Sequence, residues 1–281
     1  MMGKCKYAVW WVCMCVFGAM HAQTWELGMG TGLSLYFGDL SVPTLEAYRH
    51  NTNVAWTVSA AYRPEDWYAL RLRYLHTRLE GDDALARVQW QRQRNLNFFT
   101  PIDELSFQME FDLDGFFNIA SSWPFPYLTL GAGVLHFDPR TEYNGTVVRL
   151  QPLGTEGQGM PGYPEPYKLW TTHMMLGVGY RIALRHDLDL ALSVTMRRTN
   201  TDYLDDVSGY YVSREELQQF NGEMSAELGN KIGRETGRLR GGPRVKDWYD
   251  VALVELRYRF DTRPYSYRPK KRHYGRCPSK F

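Results

Sequence analysis

Alternation of apolar and polar residues in eight segments is the feature that most constrains what this chain can fold into. The segments lie at about residues 25–37, 54–62, 68–74, 105–113, 127–137, 170–182, 188–196 and 252–260. Period two is the pattern of a β-strand with one apolar face. Segments of about 9–13 residues match strands that cross a bilayer at a tilt. Strands of soluble proteins are commonly about 5–6 residues long, which disfavours the alternative of a soluble β-sandwich.

The connections between these segments alternate between short and long. Residues 63–66, 118–125 and 184–187 form the short ones, and residues 37–52, 80–103, 138–168 and 201–247 form the long ones. Outer-membrane barrels have short periplasmic turns and long outer loops. The sequence therefore predicts an all-β fold, an eight-stranded up-and-down transmembrane antiparallel β-barrel with long outer loops. Both termini would then lie in the periplasm.

Charged residues occupy the polar faces of several segments, which would point into the barrel. An eight-stranded barrel is just wide enough for its own side chains to fill it. Unpaired charges in so narrow a space are costly, so we expect ion pairs that close the lumen instead of an open pore. The predicted lumen charge network consists of Arg71, Arg73, Glu110, Asp112, Asp114, Arg197, Glu255, Arg257 and Arg259.

The two ends of the chain differ from the body between them. Lys4 and Lys6 precede an apolar run that ends near Ala22, which predicts a secretory signal peptide over residues 1–22. The barrel would occupy residues 23–260, and residues 261–281 would form a basic periplasmic tail. The whole chain has 33 basic and 31 acidic residues, yet the body alone is net acidic. That balance disfavours nucleic acid as a partner.

The tail carries the features expected of a docking peptide. Seven of its residues are basic, and they are Arg263, Arg268, Lys270, Lys271, Arg272, Arg276 and Lys280. Such a tail either lies on anionic lipid headgroups or becomes ordered on a partner protein. Cys277 is the only cysteine after the signal peptide, so its thiol is either free or paired with another chain.

No motif in the sequence indicates an enzyme, a metal site or a cofactor. The sequence has no HExxH, CxxC or P-loop pattern, and His76, His136 and His173 are scattered singly. Small barrels can carry lipid-modifying hydrolases, which need a base near a Ser or Asp at the outer rim. His76 and His136 lie near outer strand ends, so a lipid hydrolase remains an alternative hypothesis.

Three stretches resemble one known family. Trp25-Glu26-Leu27-Gly28 leading to Tyr36-Phe37-Gly38-Asp39-Leu40 is similar to the first strand of PorG-type proteins. The run Thr201–Ser208 resembles their loop signature, and Cys277-Pro278-Ser279-Lys280-Phe281 is similar to their C-terminus, with Ser279 divergent. PorG-type proteins are outer-membrane β-barrels of the type IX (Por) secretion system.

The resemblance implies a structural role and not a catalytic one. The barrel would anchor the periplasmic ring of the PorK lipoprotein and PorN, beneath the outer-membrane translocon. Cys277 would form a disulfide with a ring subunit, and the basic tail would steer docking. A lipid-modifying hydrolase and a surface recognition barrel that acts through its long loops are the alternatives.

Overall fold

A computed structural model of the chain describes residues 24–65, 67–113 and 125–261. The predicted signal peptide, Asp114, Cys277 and all seven basic tail residues lie outside the described residues. Ten strands are described, and they are β1 (Thr24–Phe37), β2 (Asn53–Glu65), β3 (Tyr68–Asp82), β4 (Asn97–Asp112), β5 (Phe125–Phe137), β6 (Arg140–Tyr143), β7 (Thr146–Arg149), β8 (Trp170–Ala183), β9 (Leu188–Thr199) and β10 (Trp248–Asp261).

Eight of these strands form a closed antiparallel barrel, which confirms the predicted fold class. The strands pair in the order β3, β2, β1, β10, β9, β8, β5 and β4, and pairing between β3 and β4 closes the ring. Thr24 pairs with Asp261 at one end of the barrel, and Phe37 pairs with Trp248 at the other. The first end, where residues 66–67 join β2 to β3 and residues 184–187 join β8 to β9, is called the short-turn end here, and the second is the long-loop end.

The four connections at the long-loop end are called loop 1 (38–52), loop 2 (83–96), loop 3 (138–169) and loop 4 (200–247). Loop 3 carries the β6–β7 hairpin. The helices are α1 (Leu45–His50) in loop 1, α2 (Gln89–Arg94) in loop 2, and α3 (Arg214–Asn221) and α4 (Glu223–Gly229) in loop 4. Among the described residues, no helix is long and apolar enough to cross a bilayer.

The barrel wall has an apolar outer surface and a mixed interior. Leu27, Met29 and Leu33 on β1 are each more than half exposed, and they alternate with residues that face inward. Aromatic rings contact each other at both ends of β1. The ring centroids of Trp25 and Tyr62 are 5.2 Å apart, and those of Phe37 and Trp248 are also 5.2 Å apart. This surface suits an environment that is apolar in the middle and wet at its two edges.

The prediction of a long loop over residues 80–103 is wrong. β3 continues to Asp82 and β4 begins at Asn97, and the two strands stay paired over this extension. In the extension the inward residues Leu79 and Phe98 are apolar, while Arg78 and Glu80 face outward. In this extension the apolar residues face inward and the charged residues face outward, the reverse of the rest of the barrel. A prediction based on apolar outer faces therefore does not detect it.

Candidate functional site

The half of the lumen nearest the short-turn end is filled by charged side chains. Glu110 on β4 lies at the centre of this lower lumen. It accepts hydrogen bonds from Arg71 on β3 (Nε–Oε1 2.9 Å) and from Arg257 on β10 (Nη1–Oε2 3.0 Å). Arg257 also donates to Glu255 at 2.8 Å, and Arg73 donates to the same oxygen at 2.6 Å. All five side chains are buried, so the pairs take the place of solvent in the lumen.

Two more carboxylates extend these pairs toward the short-turn end. Glu26 on β1 accepts from Arg63 at 3.0 Å and from Arg71 at 2.8 Å. Asp112 accepts from Arg63 and from Arg181, each at 2.6 Å. An arginine that donates to two carboxylates links strands that are not neighbours, because its guanidinium group has donors for two partners at once.

The structure brings together most of the residues predicted for the lumen. Arg71, Arg73, Glu110, Glu255 and Arg257 form one connected group, and Asp112 joins it through Arg63 and Glu26. Arg197 is buried but lies higher in the barrel, where it donates to Glu104 at 2.6 Å. Arg259 pairs with Asp189 at the short-turn mouth and remains about 28% exposed.

Among the described residues, five charged side chains of the lumen are missing from the predicted network, and they are Glu26, Arg63, Glu104, Arg181 and Asp189. Each is buried or nearly so, and each occupies an inward position of the alternation. Glu26 alternates with Trp25 and Leu27, so the pattern itself marks it as inward. A rule that collects every charged residue on the polar face, including the strand ends, would have found all five.

The half of the lumen nearest the long-loop end is closed by apolar side chains. The cluster joins inward strand residues such as Leu75, Ile102 and Leu135 to loop residues such as Leu40 and Leu204, all of them fully or almost fully buried. We call this cluster and the loops that supply it the outer cap. Loops 1 and 4 thus enter the barrel mouth, and in the described residues the lumen is filled from both directions.

Buried aspartates connect loop 1 to loop 4 within the outer cap. Asp205 accepts hydrogen bonds from the backbone of Leu40 at 3.2 Å and of Val207 at 2.9 Å. Asp247 accepts from the Tyr36 hydroxyl at 2.8 Å and from the Leu204 backbone at 2.9 Å. The stretches 36–40 and 201–208, singled out separately in the sequence, therefore contact each other directly.

Burial changes the protonation of these loop carboxyl groups. Burial, with repulsion from Asp247 added, raises the pKa of Asp205 well above its ordinary value. Burial likewise raises the pKa of Asp202 to about 7, although the Ser208 hydroxyl donates to it at 2.8 Å. Burial in the outer cap therefore favours the neutral form of these two carboxyl groups.

The sequence after Ser213 predicts one amphipathic helix whose apolar face carries Leu217, Phe220, Met224 and Leu228, but the structure has two helices there. Ser213 caps α3 by accepting from the Glu216 backbone at 3.3 Å. Gly222 then separates α3 from α4, because its φ of +90° lies outside the helical region. Glycine adopts such a φ more readily than other residues. Leu217 and Leu228 are buried, whereas Phe220 is exposed, so the predicted apolar face is only partly used.

The histidines occupy two different environments. His173 faces inward and lies 3.5 Å from Glu104. His76 faces outward, where its Nδ1 lies 2.8 Å from Asp103, which also accepts from the Tyr74 hydroxyl at 2.6 Å. His136 on β5 lies opposite Asp103 on β4 in the antiparallel register of these two strands. Within the described residues, no serine, threonine or cysteine side chain hydrogen-bonds to His76 or His136. The described residues also contain no group of three or more His, Cys, Asp or Glu side chains that could hold a metal ion.

Comparisons with known proteins add a family and several similar folds. A family described as a domain of unknown function (DUF6089) matches residues 5–155, which is more than half of the chain. No curated protein matches the sequence. Three similar solved structures align with 85–86% of this chain. The alignment includes 97–100% of each of those structures. They are Ail of Yersinia pestis (9% identity, TM-score 0.41), Neisserial surface protein A (11%, 0.37) and a major outer membrane protein of Thermus thermophilus (14%, 0.37).

Proposed function

The chain belongs to the DUF6089 family, and we propose that it is an outer-membrane anchor of the type IX secretion system that holds the periplasmic PorK and PorN ring. The observation that carries this proposal is the filled lumen. Ion pairs close the lower lumen and the outer cap closes the mouth, so the barrel suits a fixed scaffold better than a channel. The apolar outer surface supports a location in the outer membrane.

The position of the chain ends supports the same role. β10 ends at Asp261 beside Thr24, at the short-turn end. We place this end in the periplasm, since short turns face the periplasm in outer-membrane barrels. Residues 262–281 would then leave the barrel toward the ring. In this proposal the tail docks on PorK or PorN through its seven basic residues and becomes fixed by a disulfide at Cys277.

We propose a structural role for this barrel and not a catalytic one. The His76–Asp103 pair has the arrangement of a base and its orienting carboxylate, which is one element that a lipid hydrolase needs. Among the described residues, no serine, threonine or cysteine side chain hydrogen-bonds to His76, so this pair lacks an adjacent hydroxyl or thiol nucleophile of that kind.

A chain that ends at Asp261 tests the anchor directly. We expect this variant to insert as a heat-modifiable barrel while secretion of type IX substrates is lost, because the barrel strands are complete and the tail is absent. Normal secretion by the truncated protein would contradict the proposal. Cys277→Ser in the full-length chain is the matched control, since it keeps every basic residue.

A non-reducing gel of native membranes separates covalent from reversible docking. We expect a high-mass band of the wild-type protein that disappears on reduction and is missing in Cys277→Ser, with PorK or PorN identified in it by mass spectrometry. A monomer in both lanes would remove the disulfide from the proposal. Co-purification of the ring with full-length Cys277→Ser, but not with the truncated chain, would still support reversible docking.

A further inference from the structure

A wide cleft lies between loops 1 and 2 on the outside of the long-loop end. Its volume is about 1010 Å³, large for a small-molecule site. Arg49 and His50 from α1 line one wall, and Arg87 and Arg92 from loop 2 line the other. Glu46 is the only acidic residue in the lining, so the cleft is cationic although the body of the chain is net acidic.

Buried contacts hold the two walls of the cleft in place. Val42 and Ala47 in loop 1 pack against Ala86 in loop 2 beneath the cleft. Arg94 on α2 forms a two-pronged ion pair with Asp83, at 2.7 and 2.8 Å. Arg94 also donates to the Asp39 carbonyl in loop 1 at 2.8 Å. The two loops that form the walls of the cleft are therefore joined by buried contacts beneath it.

The arginines of the cleft differ from the buried arginines close to them. Arg94 and Arg240 are buried and each has a carboxylate partner. Arg49, Arg87 and Arg92 are exposed, and none of them has an ion-pair partner among the described residues. Three unpaired guanidinium groups around one concave surface present donors suited to carboxylate or phosphate oxygens.

We propose that this cleft binds an anionic oligosaccharide. Its carboxylate or phosphate groups pair with Arg49, Arg87 and Arg92, and the apolar face of a sugar ring packs on Leu45 and Leu85, which also line the cleft. The volume accommodates several sugar rings. The net acidic body disfavours a long polyanion that would extend beyond the cleft. This site is independent of the periplasmic anchor.

Calorimetry on the full-length protein in neutral detergent micelles tests the proposal, with tetragalacturonate as the anionic probe and maltotetraose as the neutral one. We expect the wild type to bind tetragalacturonate and not maltotetraose. The triple variant R49Q/R87Q/R92Q should bind at least tenfold more weakly. The control R234Q/R238Q/R244Q removes the same charge from exposed positions in loop 4 and should bind like the wild type.

The results that overturn the proposal are specific. Absence of tetragalacturonate binding by the wild type, or equal losses in the two triple variants, would show that the cleft is not an anion site. Because all six arginines are exposed, both variants should keep the heat-modifiable migration of the folded barrel. A variant that has lost this migration is replaced by the single changes R49Q and R92Q, to which the same criterion applies.

The anionic glycan has two sources, a free saccharide or the head of an outer-leaflet glycolipid. A second experiment titrates the protein with the glycan released by mild acid from the native glycolipid, and with the intact glycolipid in micelles. Binding of the released glycan that is sensitive to R49Q/R87Q/R92Q supports recognition of the saccharide itself. Binding of the intact glycolipid alone, with the same sensitivity, supports the membrane source. Insensitivity to the triple variant in both arms contradicts the proposal.

Discussion

The lower lumen and the outer cap close the same barrel by different physical means. The lower lumen is filled by buried arginine–carboxylate pairs such as Arg257 with Glu110. The outer cap is filled by aliphatic and aromatic side chains, and its loops add aspartates that accept from backbone amides, such as Asp205, and buried ion pairs such as Arg240 with Glu156. The first depends on a balance of charges between strands. The second depends on apolar burial, on ion pairs within the loops and on aspartates whose pKa is raised by burial.

Loss of one charge in the lower lumen should have the largest effect. Glu110→Gln leaves Arg71 and Arg257 without their shared carboxylate in a buried position. Removal of one partner from a buried pair costs about 3–5 kcal/mol. We expect the free energy of unfolding to fall by that amount, measured by urea titration of the protein in micelles.

Glu80→Gln is the matched control for that measurement. Glu80 pairs with Arg78, whose side chain is about half exposed, and such pairs contribute about 0–1 kcal/mol. Equal losses in the two variants would mean that the lower lumen is hydrated and that its ion pairs behave like surface pairs.

A cavity in the outer cap should have a smaller and more local effect. Leu204→Ala removes a fully buried side chain from the apolar cluster, and such changes cost about 2–5 kcal/mol. We expect faster proteolysis of loops 1 and 4 while the paired strands remain protected. Leu239→Ala, at an exposed position in loop 4, is the control. Simultaneous loss of strand protection would show that the cap and the barrel unfold as one unit.

The smallest expected effect is a dependence of the cap on pH. An aspartate whose pKa is raised by folding stabilises the folded state fully below its ordinary pKa of about 4, and this contribution falls as pH rises to the folded value. That value is about 7 for Asp202. Proteolysis of loop 4, normalised to an unfolded substrate, should therefore be faster at pH 8 than at pH 5.

Two variants decide whether the aspartates cause this change. Asp202→Asn should flatten part of the pH profile, because its amide carries no charge at either pH. Glu235→Gln, at an exposed position in the same loop, should keep the wild-type profile. A wild-type rate that is the same at both pH values would mean that the cap does not depend on these protons.

The lower lumen was predictable from sequence to a larger extent than the outer cap. Inward charges such as Arg71 and Glu110 sit between outward apolar residues, so period two assigns them to the interior without knowledge of their partners. The missed Glu26 follows the same rule. Which carboxylate an arginine reaches depends on strand order and register, which the alternation alone does not determine.

The outer cap depends on contacts between distant stretches of the chain. Asp205 contacts Leu40, 165 residues earlier, and no local pattern encodes that pairing. The extension of β3 and β4 was missed because Arg78 and Glu80 face outward there while Leu79 faces inward. Apolar and polar residues still alternate there, but which face of the strand is apolar depends on what surrounds that face.

The final strand also determines how the protein would resist a pull on its tail. β10 is paired along its whole length with β1 and along most of it with β9, and it ends at Asp261. A force applied at Asp261 along the strand axis acts parallel to β10 and perpendicular to its ladder hydrogen bonds. The load is thus shared in shear by many bonds at once, instead of breaking them one at a time as in peeling. In the proposed anchor, a load carried by the tail would therefore be spread over these hydrogen bonds together.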